Sequence, residues 1–372
     1  MRILLAGGGT AGHINPAIAI AQCVRKNQPE AEILFAGTPN GMETALVKKA
    51  GFNFVSIKVK GFHRSFAPAD IIDNFKAVYL ALRSKSAAKK IVTDFKPDIV
   101  VGTGGYVSGP VVLAATKLGI KTAIHEQNAF PGVTTKILSK KVDIVMLAVD
   151  EAKKSLDSSC NFITVGNPIK EGIIYKTKTE ARKELGIDDK LCILCFGGSL
   201  GADTINKIGA DIAKWTKNGE KATIIHGYGR LGKEKFPQLL LEKSIDVANS
   251  PWLDAREYID NMDVCLAAAD LVVCRAGAIT LSEIEATGTP SLLIPSPNVT
   301  ENHQYHNAMV LVNKNAAMIL EEKNNNKQAV NNILNDIFDN PQKLKSLSVN
   351  ASKLAVLDTA ERIYSQIVCL IS

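Results

Sequence analysis

The sequence has no apolar run long enough to span a bilayer; its longest, such as DIVMLAV at 143–149, have the length of a strand. No basic, apolar leader precedes the first strand-like stretch, RILLA, so no signal peptide is expected. The seven cysteines are odd in number and irregular in spacing, which argues against a disulfide framework and fits a reducing compartment. Cys192 and Cys195 form C-x-x-C, but in LCILCF strand alternation turns the two sulfurs to opposite faces, against a redox or metal pair. One more absence is chemical. Residues 5–13, LAGGGTAGH, satisfy G-x-G-x-x-G at Gly7, Gly9 and Gly12, yet the next strand, EILFAG, lacks the acid at its C-terminal end that would hold a nicotinamide ribose. Its only acid, Glu32, stands at the wrong end, so a dinucleotide cofactor is not expected.

What is present is ordinary globular material, 372 residues with 46% apolar and 22% charged, enough for two cores. The net charge of +7 is uneven: residues 1–165 carry 21 Lys/Arg and 12 Asp/Glu, the remainder 23 and 25. The first half therefore carries the excess that suits an anionic surface, nucleic acid or membrane. Within residues 58–90, Phe62, Phe66, Ile71, Ile72, Phe75 and Tyr79 interleave with Lys58, Lys60, Arg64, Lys76, Arg83 and Lys85, a composition fitted to a lipid headgroup boundary.

Short apolar strands alternate with amphipathic helices throughout, as in RILLA, PAIAIAQCVRK and EILFA, the pattern of a doubly wound parallel α/β sheet. The opening phrase recurs near residue 191, in LCILCFGGSLGADTINKIGADIAKW, with Gly198 opposite Gly8. Two Rossmann-like domains are expected, at 1–165 and 166–352, with a C-terminal helix at 353–372 packing back toward the first. Ligands of such sheets bind beyond the carboxyl ends of the strands, so both glycine loops are expected to face a cleft between the domains.

Further loops fit that position. GTGGYVSGP around 102–110 is richer in glycine than a turn needs, either for close packing or as a nest of backbone N–H groups for an anion. His125, Glu126, Gln127 and Asn128 follow the strand KTAI and read as site residues. Arg275 stands at the strand exit LVVCRAGAITLSE. Thr280 and Glu283 there satisfy the capping-box pattern, and the same carboxylate is equally suited to a ribose diol; the residues alone leave both readings open. His303 and His306 share a helical face, but without a nearby cysteine or carboxylate cluster no metal is expected.

Taken in order, GGGTAGHINP, GTGGYVSGP, HEQNAFPG, GGSLGA, CRAGAITLSE and ENHQYHNA resemble the MurG family of bacterial cell-wall glycosyltransferases nearly end to end. The resemblance implies the two-Rossmann-domain GT-B fold. It also implies inverting transfer of N-acetylglucosamine from UDP-N-acetylglucosamine to lipid I, the undecaprenyl-diphosphate-linked muramoyl-pentapeptide, giving lipid II for peptidoglycan. It implies no cofactor, no metal and no nucleic-acid partner. The expected location is peripheral, on the cytoplasmic face of the bacterial cell membrane, against anionic lipid.

Carried over by motif, Gly198, Ser199 and Lys170 would meet the donor diphosphate, and Ile259 the uracil through its backbone. Ala278, Ile279 and Thr280 would line the nucleotide, Glu283 the ribose, and His303, Gln304 and Asn307 the sugar. From the first domain Thr10, Ala11, Gly12 and Asn128 would reach the transferred sugar. Gly9, Gly104, Gly105, Tyr106, Ser108 and His125 would face the acceptor. His13 is the expected general base, with Glu126 and Tyr106 as substitutes. Two positions depart from the family pattern: Lys170 where many members carry Arg, losing bidentate phosphate geometry, and His303 where others carry Gln. Three other readings compete: a glycosyl-diacylglycerol type lipid glycosyltransferase, a sugar-nucleotide epimerase of the same fold, and a non-catalytic docking subunit. The presence of both donor-type and acceptor-type loops argues against the last.

Overall fold

The computed structural model describes residues 1–59, 84–216, 220–325 and 327–372. Most of the expected docking segment, including Lys60, Phe62, Arg64, Phe66, Ile71, Ile72, Phe75, Lys76, Tyr79 and Arg83, lies outside the described residues. The chain divides into two compact units, Met1–Ile169 with Asp358–Ser372, and Lys170–Leu357. The first boundary falls after Ile169 rather than after residue 165 because the stretch beyond the last strand stays bonded to its own sheet. Val165 N–H donates to the Leu147 carbonyl at 2.8 Å, and the Gly166 carbonyl lies 2.9 Å from His125 Nε2.

In the first unit the strands are β1 (Arg2–Gly7), β2 (Glu32–Gly37), β3 (Asn53–Ser56), β4 (Ile99–Gly104), β5 (Lys121–Glu126), β6 (Ile144–Leu147) and β7 (Phe162–Thr164). They pair in parallel in the order β3-β2-β1-β4-β5-β6-β7. The helices are α1 (Ala11–Asn27), α2 (Met42–Lys49), α3 (over 84–95), α4 (Gly105–Lys117) and α5 (Val133–Leu138). Period-two alternation sorts the strand residues between two faces: Ile3 and Leu5 pack with Ile14, Ala17 and Ile20 of α1, while Leu4 and Ala6 pack with Ala88, Val92, Val111 and Ala115 of α3 and α4. A strand buried on both faces reads as a continuous apolar run, which is why RILLA shows no alternation.

The second unit opens with α6 (Glu171–Tyr175) and α7 (Lys178–Leu185), the latter started by a capping box between Thr177 and Glu180. Then follow β8 (Leu191–Phe196), α8 (Asp203–Trp215), β9 (Ala222–Gly227), α9 (Lys235–Leu241), β10 (Leu253–Arg256), α10 (Met262–Ala268), β11 (Leu271–Cys274) and α11 (Ala278–Thr287). The unit closes with β12 (Ser291–Leu293), α12 (His303–Val312), β13 (Met318–Ile319), α13 (Lys327–Asp339) and α14 (Pro341–Ser352). Its sheet order, β10-β9-β8-β11-β12-β13, repeats that of the first unit with β8 in the place of β1 and β11 in that of β4. In each sheet the strand order reverses at that central pair, where open α/β sheets bind ligands. The four glycine-bearing exits, GGGTAGH, GTGGYVSGP, GGSLGA and CRAGAIT, are the ends of these four strands.

The last helix, α15 (Thr359–Ile371), belongs to the first unit. Ile363 and Ile367, both fully buried, join the core beside α1, and Gln28 Nε2 donates to Tyr364 Oη at 3.0 Å.

Candidate active site

The first-unit loops are built around close backbone approach. Gly9 (φ +88°), Gly104 (φ +107°) and Gly105 (φ +75°) are left-handed, and a Cβ on Gly105 would stand 2.1 Å from the Gly8 carbonyl oxygen. A Cβ on Gly104 would stand 2.6 Å from the His13 ring. The extra glycines of GTGGYVSGP thus let the ends of β1 and β4 touch.

His13, half-buried in the first turn of α1, is held by that contact. Its Nδ1 lies 3.1 Å from the Gly8 carbonyl and 3.2 Å from Thr10 Oγ1, and Thr103 Oγ1 donates to the His13 carbonyl at 2.8 Å. A carbonyl only accepts, so Nδ1 carries the proton and the basic lone pair of the neutral ring is on Nε2. Thr10, Ala11 and Gly12 are exposed beside it, and Tyr106, 40% exposed, lays its ring edge against Gly9.

The HEQN cluster is placed differently from the expectation. Glu126 is buried and accepts from Asn128 N at 3.0 Å, Asn128 Nδ2 at 3.0 Å, Gly132 N at 3.1 Å and the Thr135 hydroxyl, so its acceptor capacity is spent on shaping the loop before α5. Those four bonds weigh against the expected role of Glu126 as a substitute base. His125, 1% exposed, is fixed between the Gly166 carbonyl and Gln127 Nε2, and burial lowers its pKa, which makes it a neutral internal ring where an acceptor contact was expected. Gln127 Nε2 also reaches the Thr103 carbonyl at 3.0 Å, bracing β4 from behind. Ser108 is buried as well, its hydroxyl tucked against Gly102. Of this group only Asn128 is half-exposed.

One residue was missed from sequence. Glu43, in the first turn of α2, is fully buried, with Oε1 accepting from Thr38 N at 2.9 Å and Thr38 Oγ1 at 2.6 Å, and Oε2 from Gly9 N at 3.5 Å. Burial pushes its pKa up, but the hydrogen bonds from Thr38, with smaller contributions from its own backbone N–H and from Gly9, outweigh it and the net shift is downward. Cβ atoms on Gly8 and Gly41 would fall 2.7 and 2.2 Å from its carboxylate oxygens. A glutamate in a helix's first turn is ordinary in sequence, so nothing in GMETALV flags it.

In the second unit the exit of β8 is a longer loop than its counterpart. Its left-handed residues are Gly198 (φ +89°) and Gly201 (φ +81°), so the backbone counterpart of Gly198 is Gly9 and not Gly8. Gly198 and Ser199 are exposed, and a Cβ on Gly198 would meet nothing within 4 Å. The loop is braced from below: Asn206 Nδ2 donates to the Tyr228 carbonyl at 3.1 Å, and Asn206 Oδ1 lies 3.1 Å from Nε2 of His226, a neutral ring whose pKa burial lowers to about 3. Ile259 is buried against Gly227, which anchors the backbone expected at uracil.

At the exit of β11, of the two readings left open for Thr280 and Glu283, the capping box does not form. Gly277, in extended conformation and without a side-chain cap, is the N-cap, which puts Thr280 already within the first turn. Glu283 sits half-buried one turn further on, its carboxylate without a hydrogen bond among the described residues and its pKa raised to about 7 by desolvation, opposed only in part by Lys170. Lys170 itself is exposed. Arg275 is spent structurally, donating to the Ile294 carbonyl at 3.0 Å and pairing with Glu322 at 2.5 Å.

Around α12, His303 Nδ1 lies 2.8 Å from the Thr300 carbonyl, which directs the ring's acceptor nitrogen away from the backbone. Gln304 Oε1 accepts from Ser296 N at 2.9 Å, and its amide nitrogen makes no hydrogen bond among the described residues. Asn307 is 3% exposed and donates to the Ala276 carbonyl at 3.2 Å, supporting the turn before α11.

Residues 3–147 match the glycosyltransferase family 28 N-terminal domain and residues 192–363 the glycosyltransferase family 28 C-terminal domain. The chain is 42% identical over 365 residues, 98% of it and 96% of the relative, to the UDP-N-acetylglucosamine--N-acetylmuramyl-(pentapeptide) pyrophosphoryl-undecaprenol N-acetylglucosamine transferase of Acetivibrio thermocellus. It is 42% identical over 368 residues, 99% of each, to the protein of the same name from Thermoanaerobacter pseudethanolicus. Among solved structures, Acinetobacter baumannii MurG is similar with a TM-score of 0.77 and 28% identity, covering 98% of this chain and 99% of that one. A structure of S. aureus MnaA with UDP shares the fold at a TM-score of 0.70 and 13% identity, covering 99% and 96%. The chain therefore belongs to glycosyltransferase family 28.

Proposed function

We propose that this chain transfers N-acetylglucosamine from UDP-N-acetylglucosamine to the muramoyl-pentapeptide of lipid I, forming lipid II for peptidoglycan synthesis. The observation that carries the reading is identity of about two residues in five, over nearly the full length of both partners, to relatives named for that reaction. The geometry of each unit supports it. In the second unit, the open loop at Ser199 and the exposed Lys170 offer positive potential to a departing diphosphate, and Glu283 offers an acceptor to a ribose diol. In the first, His13 takes the proton of the acceptor hydroxyl on Nε2 as the sugar's anomeric carbon passes through an oxocarbenium-like transition state and inverts.

Lipid I carries a chain that stays in the bilayer, so the protein must work at a membrane surface. No helix among the described residues is long and apolar enough to cross one. We place the contact on the cytoplasmic face, through the basic and aromatic residues of 58–90.

Incubation with labelled UDP-N-acetylglucosamine and a lipid I analogue tests the function: label should move to the lipid with release of UDP. A 2-epimer of the donor sugar, or UDP release without labelled lipid, would overturn it in favour of an epimerase or a hydrolytic activity.

A further inference from the structure

We propose that Glu43 is a positioning residue for His13, acting through the peptide bond between Gly8 and Gly9. That one peptide unit is engaged at both ends: its N–H, on Gly9, donates to Glu43 Oε2 at 3.5 Å, and its carbonyl, on Gly8, accepts from His13 Nδ1 at 3.1 Å. An anion at the N–H end polarises the peptide and makes its carbonyl a stronger acceptor. The effect on the ring is of the same sign as that of a carboxylate bonded directly to a catalytic histidine, and weaker: it favours the tautomer with Nδ1 protonated and stabilises the imidazolium. When Nε2 takes the proton of the acceptor hydroxyl, Nδ1 keeps its own, Glu43 stays ionised, and the Nε2 proton leaves later to solvent.

The burial of Glu43 makes sense on this basis. It is fully buried, no cation pairs with it among the described residues, and its strongest donors are the two from Thr38. A glutamine would accept from Thr38 equally well without the cost of burying a charge. What the carboxylate adds is its charge, held beneath the loop by three glycines, Gly8, Gly37 and Gly41, whose Cβ atoms would collide with it.

Two titratable side chains are turned toward this loop, Glu43 of α2 and Tyr106 of α4. The strands β1 and β4 present none there, Arg2 being at the far end of β1. The acid that α15 brings to α1, Glu361, meets Asn27 at the opposite end of that helix.

The inference rests on the reading of His13 as the base, and the test separates the two. In the full-length protein, the six histidines can be followed by NMR through a pH titration, with His13→Gln assigning the resonance of interest. Glu43→Gln should lower the pKa of His13 by about one unit, the scale of a nearby charge felt through a partly screened interior. The acid limb of the kcat/KM profile for transfer to a lipid I analogue should move down with it, while the KM for UDP-N-acetylglucosamine stays unchanged. Glu43→Asp keeps the charge but withdraws it by one methylene, and should give part of the same shift; it serves as the test should the glutamine variant not fold. An unmoved His13 in a folded variant overturns the role of Glu43. A lowered pKa for His13 with an unmoved rate profile upholds that role and removes His13 as the base.

Discussion

At the scale of single residues, the two ionisable groups that matter most are held in opposite ways. His13 is fixed through Nδ1, so His13→Ala should cut turnover by about 10²–10⁴-fold, the range of a lost general base, with donor affinity near normal by calorimetry. A fall of less than tenfold in a folded variant would shift the role to Tyr106, since Glu126 already accepts from Asn128, Gly132 and Thr135. Glu283 is the reverse case, a carboxylate with no hydrogen bond among the described residues and a pKa raised to about 7. Between its ordinary value of 4.5 and about 7 the folded chain holds a proton that the unfolded chain has lost, so the stability of the unliganded protein should fall as pH rises through that window. Glu283→Gln should flatten that slope in thermal melts at stepped pH. Glu283→Ala should weaken UDP-N-acetylglucosamine by roughly 10- to 150-fold, the worth of a charge-assisted hydrogen bond.

At the scale of elements, the first-unit loops depend on absent side chains. Gly105 and Gly119 are both left-handed, at φ +75° and +71°, but only Gly105 has a backbone atom where its Cβ would be; Gly119 has nothing within 4 Å. Gly119→Ala should therefore cost about 1 kcal/mol, the price of the conformation alone. Gly105→Ala should cost more in urea unfolding and should also lower turnover, because it forces the Gly8 carbonyl away from β4 and with it the acceptor of His13. Equal destabilisation by the two would mean that the loops have room to part. The C-terminal helix is held by packing: with Ile363 and Ile367 fully buried, Ile363→Ala should destabilise the first unit by about 2–5 kcal/mol.

At the scale of the whole molecule, the charge is the feature to test. The excess of Lys/Arg over Asp/Glu in residues 1–165, 21 against 12, is long-ranged in weak salt and screened in strong. Co-sedimentation with liposomes should need anionic lipid, weaken with added salt, and fall when Lys60, Arg64, Lys76 and Arg83 are changed together to Gln, at about 1 kcal/mol per base near the surface. Binding that persists in the quadruple variant would place the dock elsewhere.

Much of the architecture was legible in the sequence because it follows from local, periodic signals. Buried parallel strands read as apolar runs, the recurrence of strand, glycine loop and helix at 191 announced the second sheet, and the motif order carried the family. What the sequence did not determine is which polar residues face solvent at the strand ends. HEQN reads as a site cluster, yet three of its four members are buried, because β5 lies inside the sheet and the loop after it folds over its end. Thr280 and Glu283 have the spacing of a cap, but the helix starts at Gly277, and only the turn set by β11 decides that. Glu43 gave no signal at all: Thr38 stands only five residues before it, but the burial of its carboxylate and its contact with Gly9, 34 residues away at the end of β1, arise only when the strand ends pack together. Periodicity belongs to the chain, but burial and hydrogen-bond partnership belong to the packed structure.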